Sequence, residues 1–375
     1  MQAPYKIMLL FGTRAEVLKL APIIKQMRQA PAKWQPVMVA TAVENHELLQ
    51  QTLDSLNFHA DFDIDTTATA RANDVEQLSQ ILHNLNNVIN AGQPDMILVA
   101  GDATTSLAAS LISFYHRVPL GHVEAGLRTY DRYSPFPDEM HRRLTDDLAN
   151  LYFAPTTSAR DNLLQEHHPA AQIYVTGNTA IDAVQNNLKE DFTHPFFETI
   201  PADHRILLMT MRRKDSVGTP MKQVFHTVRD IVETNPDVEL VFPVYPLAEE
   251  VALANELLKG HDRIHLVKPL SHHDFLNIAA RSTLILTDSG GIQEEAPALH
   301  KPVLLLRDKT ERQEAVDVGS VKIVGTDPTT IQQTVFELLN DEKAYRQMEE
   351  AENPFGDGHA SEKILTIIEK YLKQK

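Results

Sequence analysis

Cysteine is absent from the 375 residues, which removes disulfides, thiolate nucleophiles and cysteine-built zinc sites, although sites built on histidine and carboxylates remain possible. Basic residues are in deficit: 35 Lys and Arg stand against 51 Asp and Glu, a formal net charge of −16. A long phosphate backbone would meet net repulsion, so nucleic acid is not an expected partner. A small phosphorylated ligand needs only a few fixed arginines in a cleft. Long apolar runs are missing as well. The run after Lys6 ends at Gly12 after five residues, too short for a signal peptide, and no stretch approaches a membrane span. The expectation is a soluble, cytoplasmic protein without membrane insertion.

What is present is a regular alternation of short β-rich apolar runs and amphipathic helical stretches, at a chain length that predicts two domains. Strands are expected at Lys6 to Phe11, Pro36 to Thr41, Asp95 to Ala100, Val118 to Val123, Leu151 to Ala154 and Ile173 to Thr176. The rhythm restarts at Arg205 to Thr210 and continues through Val238 to Val244, Arg263 to Val267, Thr283 to Thr287, Val303 to Leu306 and Val321 to Val324. Helices are expected from the Gly12 turn through Met27, at Val43 to Leu56 and at Val75 to Asn90. The charged, weakly patterned stretch from Leu188 to Pro201 reads as a linker. The fold class is therefore α/β, with two Rossmann-like, doubly wound parallel-sheet domains: residues 1–176 and residues 177–355. Two such halves place their strand carboxyl ends on either side of one cleft, the usual place for a ligand.

Polar residues at predicted strand ends are the candidate site. Thr283-Leu-Ile-Leu-Thr-Asp-Ser-Gly-Gly-Ile-Gln-Glu-Glu-Ala296 reads as strand, tight turn and helix, with Asp288 and Ser289 as N-cap candidates, Gly290-Gly291 as the sharp turn, and a helix from near Ile292. Such a turn is either a plain connector or an anion site, because the first helical N–H groups lack partners and carry the positive end of the dipole. Arg14 follows a strand at a helix start, where the dipole opposes a cation, and that favours a ligand role over a solvated arginine. Asp102 either caps the next helix or lines the site. Glu124, at the end of a buried strand with Gly126 and Arg128 close behind, suits a site better than a core. Two prolines in Tyr133-Ser-Pro-Phe-Pro137 predict an extended loop, after which Asp138 and Arg142 share a helix face as an ordinary ion pair. The adjacent pairs His167-His168 and His272-His273 do not share a helix face, and no metal site is expected.

The ordered blocks Gly12-Thr13-Arg14, Gly101-Asp102, His122-Val-Glu-Ala-Gly-Leu-Arg-Thr129, Ser134-Pro135, Val175-Thr-Gly-Asn-Thr179, Thr287-Asp-Ser-Gly-Gly-Ile-Gln-Glu-Glu-Ala-Pro297, Thr310-Glu-Arg312 and Asn353-Pro-Phe-Gly-Asp-Gly358 resemble the non-hydrolysing UDP-N-acetylglucosamine 2-epimerase family over nearly the whole chain. The resemblance implies a glycosyltransferase-B type fold, with a C-terminal helix at about 356–375 crossing back to the first domain. It implies a homodimer that needs neither nicotinamide nor metal and interconverts UDP-GlcNAc and UDP-ManNAc by eliminating UDP and adding it back. It carries acid/base roles to Asp102 and Glu124, with Asp138 at a third acidic position that is usually glutamate. Pyrophosphate and ribose contacts fall to Arg14, Ser289, Gly290, Gly291 and Glu295. Phe275 flanks the uracil, Arg312 is a substrate-contacting arginine, and Lys19, Arg142 and Arg212 are basic positions near the site.

Some positions depart from the family pattern. His-Arg-Arg-Glu-Asn becomes Met211-Arg212-Arg213-Lys214-Asp215, and methionine neither donates to phosphate nor carries a proton. Ala15 replaces a proline and Ala100 a histidine. At the second UDP-GlcNAc site that activates many bacterial members, Gln-His becomes Glu44-Asn45 and a histidine becomes Tyr245, which predicts a weakened or absent activator site.

Overall fold

The computed structural model describes residues 3–41, 43, 46–66, 73–212 and 216–375. The chain divides into two compact units, Met1–Ala183 with Phe355–Lys375, and Val184–Pro354. Glu44 and Asn45 of the expected activator site, and Arg213 to Asp215, lie outside the described residues.

The first unit is a seven-stranded sheet of β1 (Tyr5–Phe11), β2 (Trp34–Ala40), β3 (Phe62–Asp63), β4 (Met96–Ala100), β5 (Leu120–Val123), β6 (Leu151–Ala154) and β7 (Ile173–Val175). Its order is β3-β2-β1-β4-β5-β6-β7, and every pairing is parallel. Helices cover both faces, which is why its central strands are apolar nearly throughout instead of alternating. Along β1 the side chains part: Ile7, Leu9 and Phe11 enter the core on one face, Met8 and Leu10 the core on the other. The two-residue β3 was not expected from the sequence. The helix His46–Ser55 begins three residues later than the expected Val43.

The second unit repeats the plan with six strands: β8 (Arg205–Thr210), β9 (Val238–Pro243), β10 (Ile264–Val267), β11 (Leu284–Thr287), β12 (Val303–Leu305) and β13 (Val321–Ile323). Their order is β10-β9-β8-β11-β12-β13, again all parallel. In each sheet the order reverses beside the first strand, between β1 and β4 and between β8 and β11. Loops leaving the carboxyl ends of those strands therefore border a switch point, where open α/β sheets bind ligands.

The C-terminal helix Ala360–Lys373 belongs to the first unit: Ile364, Leu365, Ile368 and Leu372 join the β1 core, each such burial contributing about 1.5–3 kcal/mol. Its start is fixed by buried Asp182, whose carboxylate accepts the N–H groups of Ala360 at 3.2 Å and Ser361 at 2.8 Å. The chain returns against Gly177, where a Cβ would lie 3.1 Å from the carbonyl oxygen of Phe355 and 3.2 Å from Cα of Gly356. Only glycine fits that approach, at a φ of 84°. Among the described residues no helix is long and apolar enough to cross a membrane.

Candidate active site

In the first unit three loops leave neighbouring strands. After β1, the helix Arg14–Gln29 starts with a reciprocal cap: Thr13 Oγ1 accepts the Glu16 N–H at 3.3 Å, and Glu16 accepts the N–H groups of Gly12 at 2.7 Å and Thr13 at 2.9 Å. Ser106 donates to the other Glu16 oxygen at 3.2 Å. Burial outweighs these bonds and pushes the Glu16 carboxyl up to about 7. This cap sets Arg14 in the first turn and Lys19 one turn on.

After β4, the position capping the helix Thr104–His116 is taken by Ala103, with no side-chain bond. Asp102 is thus not a cap. Its carboxylate is gripped by Arg142, through Nη2 and, at 3.2 Å, through Nε, and its carbonyl accepts from His141 Nδ1 at 3.1 Å. Burial lowers His141, and its contacts to Asp102 only partly oppose this.

After β5, Glu124 is 6% exposed and sits in the left-handed region at a φ of 70°, a conformation costing a non-glycine residue roughly 1–2 kcal/mol that the surroundings must offset. One of its oxygens bonds Lys19 Nζ, and the other accepts from Asn178 Nδ2 at 3.0 Å. Two carboxylates on adjacent strand ends, each paired to a cation, can take and return protons on a molecule held between them.

The segment before the helix Asp138–Leu148 is a run of turns, with cis bonds before Pro135 and Pro137, and not an extended loop. Asp138 is half-buried at the first position of that helix. Arg142 also makes partners that helical spacing did not suggest: Nη1 bonds Glu139 at 3.0 Å while Nη2 reaches Asp102. Glu139 is fully buried and also accepts the N–H groups of Thr129 at 3.0 Å and Tyr130 at 3.1 Å, so it anchors Arg142 instead of meeting solvent. Neither Glu139 nor Asn178 was singled out from sequence. The signal for Asn178 was its place inside the Val175–Thr179 block.

In the second unit, β11 runs into the helix Gly290–Ala298, which starts two residues before the expected Ile292. Ser289 holds the N-cap position without a side-chain bond. Asp288 is not a cap; its buried carboxylate accepts the Arg212 N–H, 3.0 Å from each oxygen, and Ser216 Oγ at 2.9 Å, tying the loop after β8 to the loop after β11. The two glycines serve space more than turning. A Cβ on Gly290 would lie 2.6 Å from Arg312 Nη1, and one on Gly291 would meet nothing within 4 Å. Arg312 is held there by Glu294 at 2.5 Å and by Glu311. Glu295, on the helix Gly290–Ala298, accepts from His272 Nε2 at 3.0 Å, and Phe275 lies half-buried on the helix His272–Arg281 that carries this histidine. The Arg212 guanidinium lies 5.9 Å from the Tyr245 ring centroid, and Met211 is fully buried in the core of this unit. The Ser289 N–H donates to Thr287 Oγ1 at 3.0 Å, while the first-turn N–H groups that follow, from Gly290 and Gly291 on, have no intrahelical partner; with a pinned arginine beside it, this helix start can hold a diphosphate.

Two doubly wound parallel units, one with two cation-paired carboxylates at adjacent strand ends and the other with a glycine-bearing helix start beside an arginine, define an α/β protein of the glycosyltransferase-B type. The sequence profile of the UDP-N-acetylglucosamine 2-epimerase family matches residues 25–369. The UDP-N-acetylglucosamine 2-epimerase of Bacillus subtilis is 44% identical over 362 residues, covering 96% of this chain and 94% of that one. The S. aureus MnaA structure with UDP superposes with a TM-score of 0.92 at 42% identity, covering 98% and 97% of the two chains. The Neisseria meningitidis UDP-GlcNAc 2-epimerase bound to UDP-GlcNAc gives 0.90 at 36% identity, covering 97% and 100%. The chain belongs to the UDP-N-acetylglucosamine 2-epimerase family, a family of isomerases.

Proposed function

We propose that the protein interconverts UDP-GlcNAc and UDP-ManNAc by inverting C2 of the sugar, and that it does so by elimination and re-addition of UDP. One of the carboxylates Asp102 and Glu124 takes the C2 proton as the C1–O bond breaks and its electron pair leaves on UDP, giving a 2-acetamidoglucal. Re-addition of UDP, with a proton returned to the opposite face of C2 by the other carboxyl, completes the inversion. Asp138 assists. The observation that carries this reading is the pairing on neighbouring strand ends of Glu124 with Lys19 and Asn178 and of Asp102 with Arg142, within a chain of this family. Fixed charges around a weakly acidic C–H keep the base in place at little reorganisation cost.

The departing UDP is held by Arg14 and Arg212, by the helix start at Ser289, Gly290 and Gly291, and by Arg312. Glu295 takes the ribose, Phe275 flanks the uracil, and Lys19 and Arg142 orient the carboxylates. The product supplies ManNAc units for cell-surface polysaccharide, and the enzyme works in the cytoplasm as a homodimer.

The test is proton NMR of UDP-GlcNAc with the purified protein in deuterium oxide. The expected result is loss of the C2 proton signal together with appearance of UDP-ManNAc. A second reading, a UDP-sugar-binding paralogue without chemistry, is favoured by one observation: Met211, at the family's histidine position, is buried in a core. Unchanged substrate with UDP still raising the melting temperature would decide for it.

A further inference from the structure

We infer that His122 is a positioning residue, a doubly donating imidazolium that couples the Asp102 loop to the Glu124 turn, with Asp146 as its buried counter-ion. The inference rests on the acid/base reading of Asp102 and Glu124.

His122 lies on β5 two residues before Glu124 and is fully buried. Its Nε2 is 2.8 Å from the carbonyl oxygen of Gly101, and its Nδ1 is 2.6 Å from Asp146 Oδ1. A backbone carbonyl only accepts, so Nε2 carries a proton. Nδ1 faces a carboxylate whose other oxygen bonds Arg128 Nη2 at 2.8 Å and the Gly126 N–H at 3.2 Å. A guanidinium and a backbone N–H on that oxygen both favour the ionised carboxylate, independently of His122. With Asp146 ionised, the proton between it and the ring belongs to Nδ1, and both ring nitrogens donate. Arg128 continues outward to Glu166 through contacts at 2.6, 3.0 and 3.1 Å. The buried charges are thus each paired, as burial at this depth requires.

The arrangement reaches both proposed catalytic groups without touching a reacting atom. Gly101 is held at its N–H by the Val123 carbonyl, at 3.0 Å, and at its carbonyl by the His122 ring. The peptide leading into Asp102 is therefore clamped at both ends. Asp146 grips the chain on both sides of Glu124, at the His122 ring before it and at the Gly126 N–H after it. That clamp, with the Glu124 and Ala125 N–H groups on the Phe153 carbonyl at 3.0 and 3.3 Å, is what holds Glu124 in its left-handed conformation. One ion pair sets the separation of two carboxylates from two loops.

Asp146→Asn tests this with little change in shape: the amide oxygen still accepts from Gly126, while the amide N–H turns to Nδ1 and leaves His122 neutral. His122→Gln is the second variant, removing the charge while offering an amide to the Gly101 carbonyl. Displacing either carboxylate by a fraction of an ångström is expected to lower kcat about 10- to 100-fold, with KM for UDP-GlcNAc and the Kd of UDP within about 3-fold, since neither residue is among those assigned to the diphosphate. Nitrogen-15 NMR of the free protein at neutral pH is expected to show both His122 ring nitrogens protonated in the parent and only Nε2 protonated in Asp146→Asn. A neutral His122 in the parent overturns the charged coupling. A folded Asp146→Asn or His122→Gln enzyme with kcat within 2-fold of the parent overturns the positioning role. If the parent itself does not epimerise, the proposed function fails, while the NMR result still decides the ion pair.

Discussion

Gly290 and Gly291 are neighbours in one helix start, and the structure separates what each is for. A methyl group on Gly290 would lie 2.6 Å from Arg312 Nη1, 3.0 Å from its Cζ and 3.1 Å from Glu311 Oε1. Arg312 is only 7% exposed and is bonded to Glu294 and Glu311, so the guanidinium cannot retreat by the roughly 1 Å that ordinary van der Waals contact requires without loosening a charged hydrogen bond. Overpacking of that kind costs about 1–3 kcal/mol, against a gain of about 0.4–1 kcal/mol from replacing a helical glycine with alanine. Gly290→Ala is expected to destabilise the second unit by about 1–2 kcal/mol. Gly291→Ala meets nothing within 4 Å and is expected to stabilise the unliganded protein by about 0.4–1 kcal/mol, while crowding a diphosphate at the helix start and weakening UDP at least about 10-fold. Scanning calorimetry of both variants with isothermal titration of UDP reads the two quantities separately. Unchanged UDP affinity in Gly291→Ala would refute the diphosphate placement, and a Gly290→Ala protein as stable as the parent would refute the steric account of Arg312.

Glu16 titrates near 7 in the folded chain against 4.5 in the unfolded one. Its stabilising contribution is therefore complete below about pH 4.5 and lost as pH rises through 7, by about 3 kcal/mol in all. Glu16→Gln removes this dependence, so urea unfolding followed at Trp34, the single tryptophan, is expected to favour the variant increasingly from pH 5 to pH 8; a constant difference would place the titration elsewhere. Met211→His restores the family residue at a fully buried core position, and the expected outcome is about 1–3 kcal/mol of lost stability with no gain in kcat. A rise in kcat would show that the loop after β8 rearranges with substrate. Initial rates against UDP-GlcNAc are expected to be hyperbolic, because Tyr245 and Glu44 replace the activator-site residues; a Hill coefficient like that of the regulated members would refute this.

The strands were legible because both sheets are covered on both faces, so buried strands read as largely apolar runs that give way to polar residues beyond their carboxyl ends. That logic located Arg14, Asp102, Glu124 and Ser289. It could not find β3, whose two residues, Phe62 and Asp63, carry no periodicity. Nor could it find partners that depend on tertiary distance. Helical spacing suggested Asp138 for Arg142 but gave no sign of Glu139 or, across 40 positions, of Asp102, both of which its guanidinium bonds. Asp288 and Gly290 have the residue types of a cap and a turn, yet one ties two loops and the other makes room for a guanidinium, because neighbours from other strands claim them first. The same holds for His122, which local sequence presents as one apolar-strand position among four. Its ring is satisfied by a carboxylate 24 positions away and a carbonyl 21 positions away. Local pattern therefore predicts where a reactive group emerges, and the distant partners that fix its direction and charge are chosen by the packing of strands the pattern cannot order.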